Sequence, residues 1–228
     1  MKSVLLFGSS GLTGQHCLQF LLESDQYNRV VIAVRRPILI THEKLSQVIV
    51  DFDVLDNESN LFAVDEVYCC LGTTIKKAGS RIAFSSIDLN LVITIAKLAK
   101  IHRVKKFLVV SALGANPKSS SFYNQTKGKM EAKLKTLNLN ATYVFRPSLL
   151  LGDRNEFRLA EHITAILCNV FSFVFIGPLK TLKPIEAKVL AKAMVTIANN
   201  EQPSLPFQII ENQAIKDVVK LIPVRVIM

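Results

Sequence analysis

The sequence Val4–Gly14, V-L-L-F-G-S-S-G-L-T-G, decides the fold of this chain. Four apolar residues, too few for a helix, lead into glycines at positions 8, 11 and 14, and leucines at helical spacing follow at 18, 21 and 22. The pattern predicts a strand, a tight turn and a helix. Because glycine permits close backbone approach and a helix N-terminus attracts anions, such a turn is typical of a pyrophosphate site, and a dinucleotide is the expected ligand.

The three glycines are spaced G-x-x-G-x-x-G, with the middle one displaced by one residue from the commonest dinucleotide fingerprint. Three spaced glycines also occur in plain loops. The position of Gly8, Gly11 and Gly14 between an apolar strand and a helix favours the dinucleotide interpretation.

Length and hydropathy indicate one domain spanning residues 1–228. Half of the residues are hydrophobic and the mean hydropathy is +0.31, as expected for a parallel sheet covered on both faces. The most apolar stretch, 163–176, is shorter than a membrane span and contains Asn169 and Ser172, so it predicts a buried or interface helix. With no signal peptide recognised either, we expect a cytoplasmic protein.

The net charge of +10 raises the hypothesis of nucleic-acid binding. The basic residues are dispersed, however, without a single stripe or interleaved aromatics, and a surface that attracts phosphorylated small molecules explains the same charge. We therefore predict no nucleic-acid partner. The four cysteines lack C-x-x-C spacing and are predicted to be reduced core thiols, and no metal site is predicted.

Strands and helices alternate along the remainder of the chain. Strands are predicted at 29–34, 47–52, 64–71, 105–110, 142–145 and 207–210, and helices at 12–24, 81–102, 121–136, up to about 175, at 184–198 and at the end of the chain. This order predicts an α/β fold with a doubly wound parallel sheet of the Rossmann type. Residues 146–228, where the pattern is looser, are expected to form a small cap on the substrate side.

The end of the second predicted strand distinguishes two cofactors. A carboxylate about 20 residues past the glycines binds the ribose 2′-hydroxyl of NAD, whereas arginine accommodates the 2′-phosphate of NADP. This strand ends at Arg35-Arg36, and the next carboxylate is Glu43. The sequence therefore predicts NADPH, the alternative being two solvated arginines.

The next two strand ends also present candidate ligand contacts. Asp51 could accept a hydrogen bond from the adenine amino group while Phe52 packs on its ring; the alternative for an acid here is helix capping, which suits Asp56 better. The turn Gly72-Thr73-Thr74 follows the fourth strand, at the edge of a parallel sheet where ligands bind.

Tyr123 and Lys127 lie four residues apart on a predicted helix and therefore share a face. A free tyrosine has a pKa of about 10 and is a reluctant acid at neutral pH. An ammonium about 4 Å away, at an effective dielectric of roughly 20, favours the phenolate by about 4 kcal/mol before desolvation is subtracted. Such a tyrosine can protonate a carbonyl as hydride arrives, although most Y-x-x-x-K pairs are surface pairs.

These features resemble the atypical branch of the short-chain dehydrogenase/reductase superfamily, and within it the Tat-interacting proapoptotic protein family of NADPH-binding proteins. The resemblance extends from Val4 to about Asp217. Its motifs are Cys69-Cys70-Leu71-Gly72-Thr73-Thr74, Lys77-Ala78-Gly79, Lys127-Gly128 with Glu131-Ala132-Lys133, Val144-Phe145-Arg146-Pro147, Asp153-Arg154, and Glu211-Asn212 with Ala214-Ile215.

The resemblance implies a set of NADPH contacts. The phosphates would be held by Ser10, Gly11, Leu12 and Thr13, and the 2′-phosphate by Arg35 and Arg36. Beside the turn after the fourth strand, the cofactor would contact Leu71 and Gly72, and its nicotinamide ribose would contact Lys127. The resemblance adds contacts from Leu150 and Arg158. It also implies that Tyr123 transfers the proton. Leucine at position 12 replaces a familiar glutamate, which weakens a side-chain role there but not the backbone role.

The family usually adds a hydroxyl at or just after the fifth strand to hold the substrate carbonyl. Here Ser111 is followed by Ala112, so either Ser111 serves, or one of Ser119–Ser121 substitutes, or Ser111 is merely bonded to backbone. The leading functional prediction is an NADPH-dependent reductase of a small carbonyl compound, as a monomer or homodimer. The alternative is a non-catalytic NADPH sensor that binds a protein partner.

Overall fold

The computed structural model describes residues 1–152, 183–200 and 205–221, and its centre is a parallel sheet. Seven strands lie in the order β3-β2-β1-β4-β5-β6-β9, and a separate pair consists of β7 and β8. The strands are β1 (Lys2–Phe7), β2 (Tyr27–Val34), β3 (Leu45–Ile49), β4 (Glu66–Cys69), β5 (Lys106–Val110), β6 (Thr142–Arg146), β7 (Leu150–Leu151), β8 (Ile185–Glu186) and β9 (Phe207–Glu211). The predicted doubly wound α/β fold is confirmed.

Helices connect these strands on both faces of the sheet. They are α1 (Leu12–Glu23), α2 (Ile75–Ala78), α3 (Arg81–Ser85), a π-helical turn (Ser86–Leu91), α4 (Val92–Ile101), α5 (Phe122–Leu137), α6 (Ala187–Asn199) and α7 (Asn212–Leu221), with a 3₁₀ segment at Phe52–Phe62. The chain leaves β1 in one direction through β2 and β3, and then returns to the other side of β1 with β4. In open α/β sheets such a reversal of strand order marks the ligand-binding crevice.

Strand β1 is the centre of two hydrophobic cores. Val4 and Leu6 face one side and pack with Leu18 of α1 and with Met194 of α6. The alternate residues of β1, with Phe7 among them, face the other side and pack with α4, α5 and the 3₁₀ segment. Because both faces of the strand are covered, an uninterrupted apolar run forms it without polar alternation.

One helical stretch in the described part of the chain is long and apolar enough to cross a membrane: Arg81–Ile101, 21 residues with a mean hydropathy of 1.6. Ile95, Ala96 and Ala99 are completely buried against the sheet core. The stretch is therefore a core helix in this structure, and its apolar composition reflects that contact. The predicted helix 81–102 is interrupted by the π-helical turn, which contains the buried Asp88.

The parts described after residue 146 lie mostly within the main layers. Helix α6 packs beside α1, and β9 joins the sheet edge next to β6. The short β7–β8 pair is the exception, because Leu150 pairs with Ile185 beyond the end of β6. The predicted cap over 146–228 stays a prediction, since its helix up to about 175 lies outside the described residues, as do Arg158 and Cys168.

Candidate functional site

The turn between β1 and α1 has the close backbone packing that its glycines predict. Gly8 has a φ of +80°, a conformation that side chains rarely allow. A Cβ on Gly14 would lie 2.0 Å from the carbonyl oxygen of Gly8, so only glycine fits. Helix α1 begins after Gly11 with no side-chain cap and no acidic residue in its first turn. Its N-terminus is therefore suited to an anion.

A cavity of about 1020 Å³ opens in front of this turn. The volume lies at the upper end of the range for small-molecule sites. Most of the predicted site residues line it, namely Ser10, Gly11, Leu12, Thr13, Leu71, Gly72, Thr73, Ser111, Tyr123, Lys127 and Leu150. Segments at the carboxyl ends of β1, β4, β5 and β6 thus converge at one edge of the sheet. The glycine turn and the cavity together fit a dinucleotide.

Leu12 contributes to this turn through packing. It is 7% exposed, and its Cδ1 atom would lie 2.6 Å from a Cβ on Gly152. The side chain therefore supports the backbone after β7, while the backbone of residue 12 stays at the helix N-terminus.

Besides Gly8 and Gly14 of the turn itself, four predicted cofactor contacts do not line the cavity. Arg35 and Arg36 follow β2 directly and are exposed. The Asp51 carboxylate accepts a hydrogen bond from the Asp53 backbone N–H at 3.0 Å and caps the 3₁₀ segment. The capping residue is thus Asp51, and its assignment to Asp56 was wrong, because the helical segment begins at Phe52, the last residue of the predicted third strand. Phe52 packs against Phe7, with 6.3 Å between ring centroids.

Lys127 is held on the cavity wall by a buried ion pair. Its Nζ lies 2.8 Å from Asp88 Oδ1 and donates to the Val110 carbonyl at 3.3 Å. Lys127 is 2% exposed and Asp88 is completely buried. Burial by itself lowers the pKa of Lys127, but the Asp88 carboxylate outweighs it and the pKa is raised, so the ammonium stays charged.

Tyr123 lies one helical turn before Lys127 and is half-buried. Its ring packs on Phe84 with 5.5 Å between centroids. Helix α5 is capped by Ser121, whose hydroxyl accepts from the Asn124 backbone N–H. The cap and the ring contact orient the first turn of α5, so that Tyr123 and Lys127 line the same cavity.

Ser111 lines the cavity, and its hydroxyl is hydrogen-bonded to another side chain. It donates to Glu131 Oε1 at 2.5 Å, and Arg146 binds the same carboxylate with two nitrogens at 3.0 and 2.6 Å. Arg146 also donates to Glu211 at 2.9 Å. The partner of Ser111 is therefore a side chain, not the backbone group that one alternative expected. The alternative serines, Ser119–Ser121, do not line the cavity. The Ser119 hydroxyl accepts from the backbone N–H of Ser121, and the Ser121 hydroxyl caps α5.

Sequence reasoning missed Asp88, although a signal existed. It is a lone acid in the apolar run of the helix at 81–101, and it lies on the same face as Phe84, Leu91 and Ile95 by helical spacing. An acid on a buried face needs a partner. The partner, Lys127, is 39 residues away in sequence and could not be identified by spacing.

The three described cysteines are free thiols, as predicted, and one of them, Cys70, lines the cavity. Cys17 and Cys69 are buried, Cys70 is half-buried, and Cys70 Sγ lies 3.8 Å from Cys17 Sγ. Burial raises the pKa of Cys69 to about 12, which keeps it neutral at physiological pH. Within the described ranges no group of histidine, cysteine and acidic side chains is arranged to hold a metal.

The chain is similar to known proteins in sequence and in structure. The model of the NAD(P)H-binding family matches residues 8–166. Protein HTATIP2 of Rattus norvegicus is 39% identical over 164 residues, which cover 70% of this chain and 67% of that protein. Protein FMP52, mitochondrial, of Debaryomyces hansenii is 32% identical over 203 residues, 86% of this chain and 88% of that one.

Among solved structures, UDP-glucuronic acid 4-epimerase from Bacillus cereus, in complex with UDP-glucuronic acid and NAD, has a TM-score of 0.70. The superposition covers 91% of this chain and 76% of the epimerase chain. Because the sequence identity is 15%, the similarity is one of fold. Fold and site define a dinucleotide-binding α/β protein of the short-chain dehydrogenase/reductase type. The chain belongs to the NAD(P)H-binding family and to the atypical branch of that superfamily, as the resemblance predicted.

Proposed function

We propose that this protein is an NADPH-dependent reductase that converts a carbonyl group of a small molecule to an alcohol. The observation that carries the proposal is the convergence of Tyr123 and the buried Lys127 on the cavity that begins at the glycine turn. A phenol next to a permanently charged ammonium is a suitable acid for a carbonyl oxygen. Part of the cavity wall is apolar, because it is formed by Leu113, Leu149 and Leu150. This wall favours an apolar substrate.

In the proposed reaction, different residues bind the cofactor and transfer the proton. The backbone around Gly11 would hold the pyrophosphate, and Lys127 would hold the nicotinamide ribose. NADPH, when held by these residues, would supply the hydride for the carbonyl carbon. The Tyr123 hydroxyl donates its proton to the carbonyl oxygen, and the charge of Lys127 stabilises the phenolate that remains.

Replacement of Tyr123 by phenylalanine is expected to lower the rate of NADPH oxidation, with a carbonyl or quinone substrate, at least about tenfold, because the proton donor is lost. Spectrophotometric assays of a substrate panel measure this rate. Tyr143→Phe is the matched control, since Tyr143 is a buried β6 residue that does not line the cavity. Equal rates for Tyr123→Phe and the parent would remove Tyr123 from the mechanism.

Arg35 and Arg36 carry the proposed preference for NADPH. Because a charged hydrogen bond to phosphate contributes about 1.5–3 kcal/mol, the parent should bind NADPH about tenfold or more tightly than NADH. In Arg35→Ala/Arg36→Ala, calorimetry should find this difference largely lost. Arg29→Ala/Lys100→Ala removes the same charge from exposed positions away from the strand end and should keep the preference. Equal affinities of the parent for the two nucleotides would contradict the proposal.

The direction of the Ser111 hydroxyl favours a second candidate function, a non-catalytic NADPH sensor with a protein partner. A serine whose proton points at Glu131 offers no hydrogen to a substrate carbonyl. If the parent binds NADPH but oxidises it with no member of the panel, the sensor is the better account. Its partner must then bind the loaded and free forms with different affinities, and must change NADPH affinity by the same factor.

A further inference from the structure

The side-chain amide of Gln47 holds the loop that follows β2. Gln47 is the central residue of β3, where it pairs with Ile32. Its Oε1 accepts a hydrogen bond from the Ile38 backbone N–H at 3.0 Å, and its Nε2 donates to the carbonyls of Ile38 at 3.0 Å and Ile40 at 2.9 Å. Both N–H groups of the amide are therefore used, and the amide pairs with Ile38 as a neighbouring strand would.

Contacts of Ile38 and Ile40 fix the path of this loop. The Ile40 N–H donates to the Ile38 carbonyl at 2.9 Å, a bond within the loop that does not attach it to the sheet. Ile38 packs against the core beside α1, whereas Leu39 is fully exposed. The Gln47 amide thus adds a polar attachment of the loop to β3.

Arg35 and Arg36 connect β2 to this loop. Strand β2 lies beside β1, where Ala33 pairs with Phe7, the residue before Gly8 of the glycine turn. Adjacent strands are about 4.8 Å apart, so the arginines leave the sheet one strand away from the turn that would hold the pyrophosphate. In dinucleotide-binding folds the ribose 2′ group is recognised at this place.

The reach of both arginines depends on the direction of the backbone. Their side chains are exposed and lie outside the cavity wall, so the backbone after β2 determines where the guanidinium groups begin. A loop that must be ordered on binding weakens the complex, because ordering the backbone of one residue costs about a factor of ten in the binding constant. NADH has no 2′-phosphate for these arginines to bind, so this cost falls on NADPH alone.

We propose that Gln47 is a positioning residue that orders the loop after β2 and thereby determines the selectivity for NADPH over NADH. The assignment rests on the proposed preference for NADPH through Arg35 and Arg36. Gln47 is not part of the cavity wall and acts through the backbone of Ile38 and Ile40.

Gln47→Met keeps a neutral side chain of similar length and removes all three hydrogen bonds. Calorimetry should find the affinity for NADPH lowered about tenfold and that for NADH changed by less than about twofold. Gln208→Met is the matched control and should keep both affinities. Gln208 is a half-buried glutamine of β9, the opposite edge strand, and its amide donates to the Leu205 carbonyl at 3.4 Å. An equal loss for both nucleotides in Gln47→Met, or no loss for either, would overturn the proposal, because a merely structural residue does not separate the two.

The dependence on the arginines is tested in the Arg35→Ala/Arg36→Ala background. With no guanidinium group to position, Gln47→Met should change the NADPH affinity there by less than about twofold. A further loss of about tenfold would mean that Gln47 acts on another part of the nucleotide, and the proposal would be wrong.

The order of the loop is measured without nucleotide. Hydrogen–deuterium exchange of the peptide that contains Ile38 and Ile40 should be faster in Gln47→Met than in the parent, because the Ile38 N–H loses its acceptor. Gln47→Asn keeps an amide on a side chain one methylene shorter, and provides a second variant in case Gln47→Met does not fold. It should show the same faster exchange and the same loss of selectivity. Unchanged exchange in the folded variant would overturn the proposal.

The parent protein separates this proposal from the proposed function. Equal affinities of the parent for NADPH and NADH would refute the NADPH preference, and the selectivity role of Gln47 with it. A parent that prefers NADPH by the same factor as Gln47→Met would refute the role of Gln47 alone.

Discussion

Replacement of Gly14 by alanine is expected to abolish dinucleotide binding, with a loss of about 100-fold or more in NADPH affinity. The Cβ would lie 2.0 Å from the Gly8 carbonyl oxygen and 2.6 Å from the carbonyl carbon, both of them backbone atoms. No rotamer relieves such a contact, so α1 must move away from the turn. That movement would separate the helix N-terminus from the backbone that surrounds the pyrophosphate.

Gln19→Ala is the control for Gly14→Ala. Gln19 lies on the exposed face of the same helix, where it donates to Glu23 at 2.8 Å. Alanine there should change the free energy of unfolding by less than about 0.5 kcal/mol and leave NADPH affinity unchanged. Calorimetry gives the affinities and circular dichroism the melting temperatures. A Gly14→Ala protein with the affinity and melting temperature of the parent would contradict the close packing of the turn.

The features that sequence predicted well are those that depend on neighbouring residues. The strand, turn and helix at 2–23 follow from an apolar run, three glycines and a helical period, all within one stretch. Tyr123 and Lys127 share a cavity because four residues make about one helical turn. Local rules determine these features, and tertiary contacts do not oppose them.

The features that sequence missed depend on contacts between distant segments. The Asp88–Lys127 pair and the bond from Ser111 to Glu131 join residues brought together only by the sheet. The β7–β8 pair joins Leu150 to Ile185 over two residues each, too few for a strand pattern to be visible. For Asp51 the sequence allowed two interpretations, a contact to the ligand or a helix cap. Which acid caps the helix depended on where the 3₁₀ segment begins, and the sequence did not show that position.

The Ser111–Glu131–Arg146 cluster resembles the Asp88–Lys127 pair in one physical respect, since each surrounds a buried carboxylate with donors at the carboxyl edge of the sheet. Glu131 is 5% exposed and receives hydrogen bonds from Ser111 and from two nitrogens of Arg146. The Glu131 carboxylate raises the pKa of Arg146. Arg146 also donates to the Ala115 carbonyl and so joins β6 to the loop before α5. The cluster therefore supports the helix that presents Tyr123.

Arg146→Met is accordingly expected to destabilise the protein by about 3–5 kcal/mol, the cost of leaving a buried carboxylate without its cation. Urea unfolding measures this loss. Glu211→Gln is the matched control, because it interrupts the other ion pair of the same guanidinium at a side chain that is 47% exposed, and it should cost less than about 1 kcal/mol. Equal costs for the two variants would show that burial of Glu131 does not set the strength of the cluster. Glu131→Gln/Arg146→Met should recover part of the loss, since no uncompensated charge then remains.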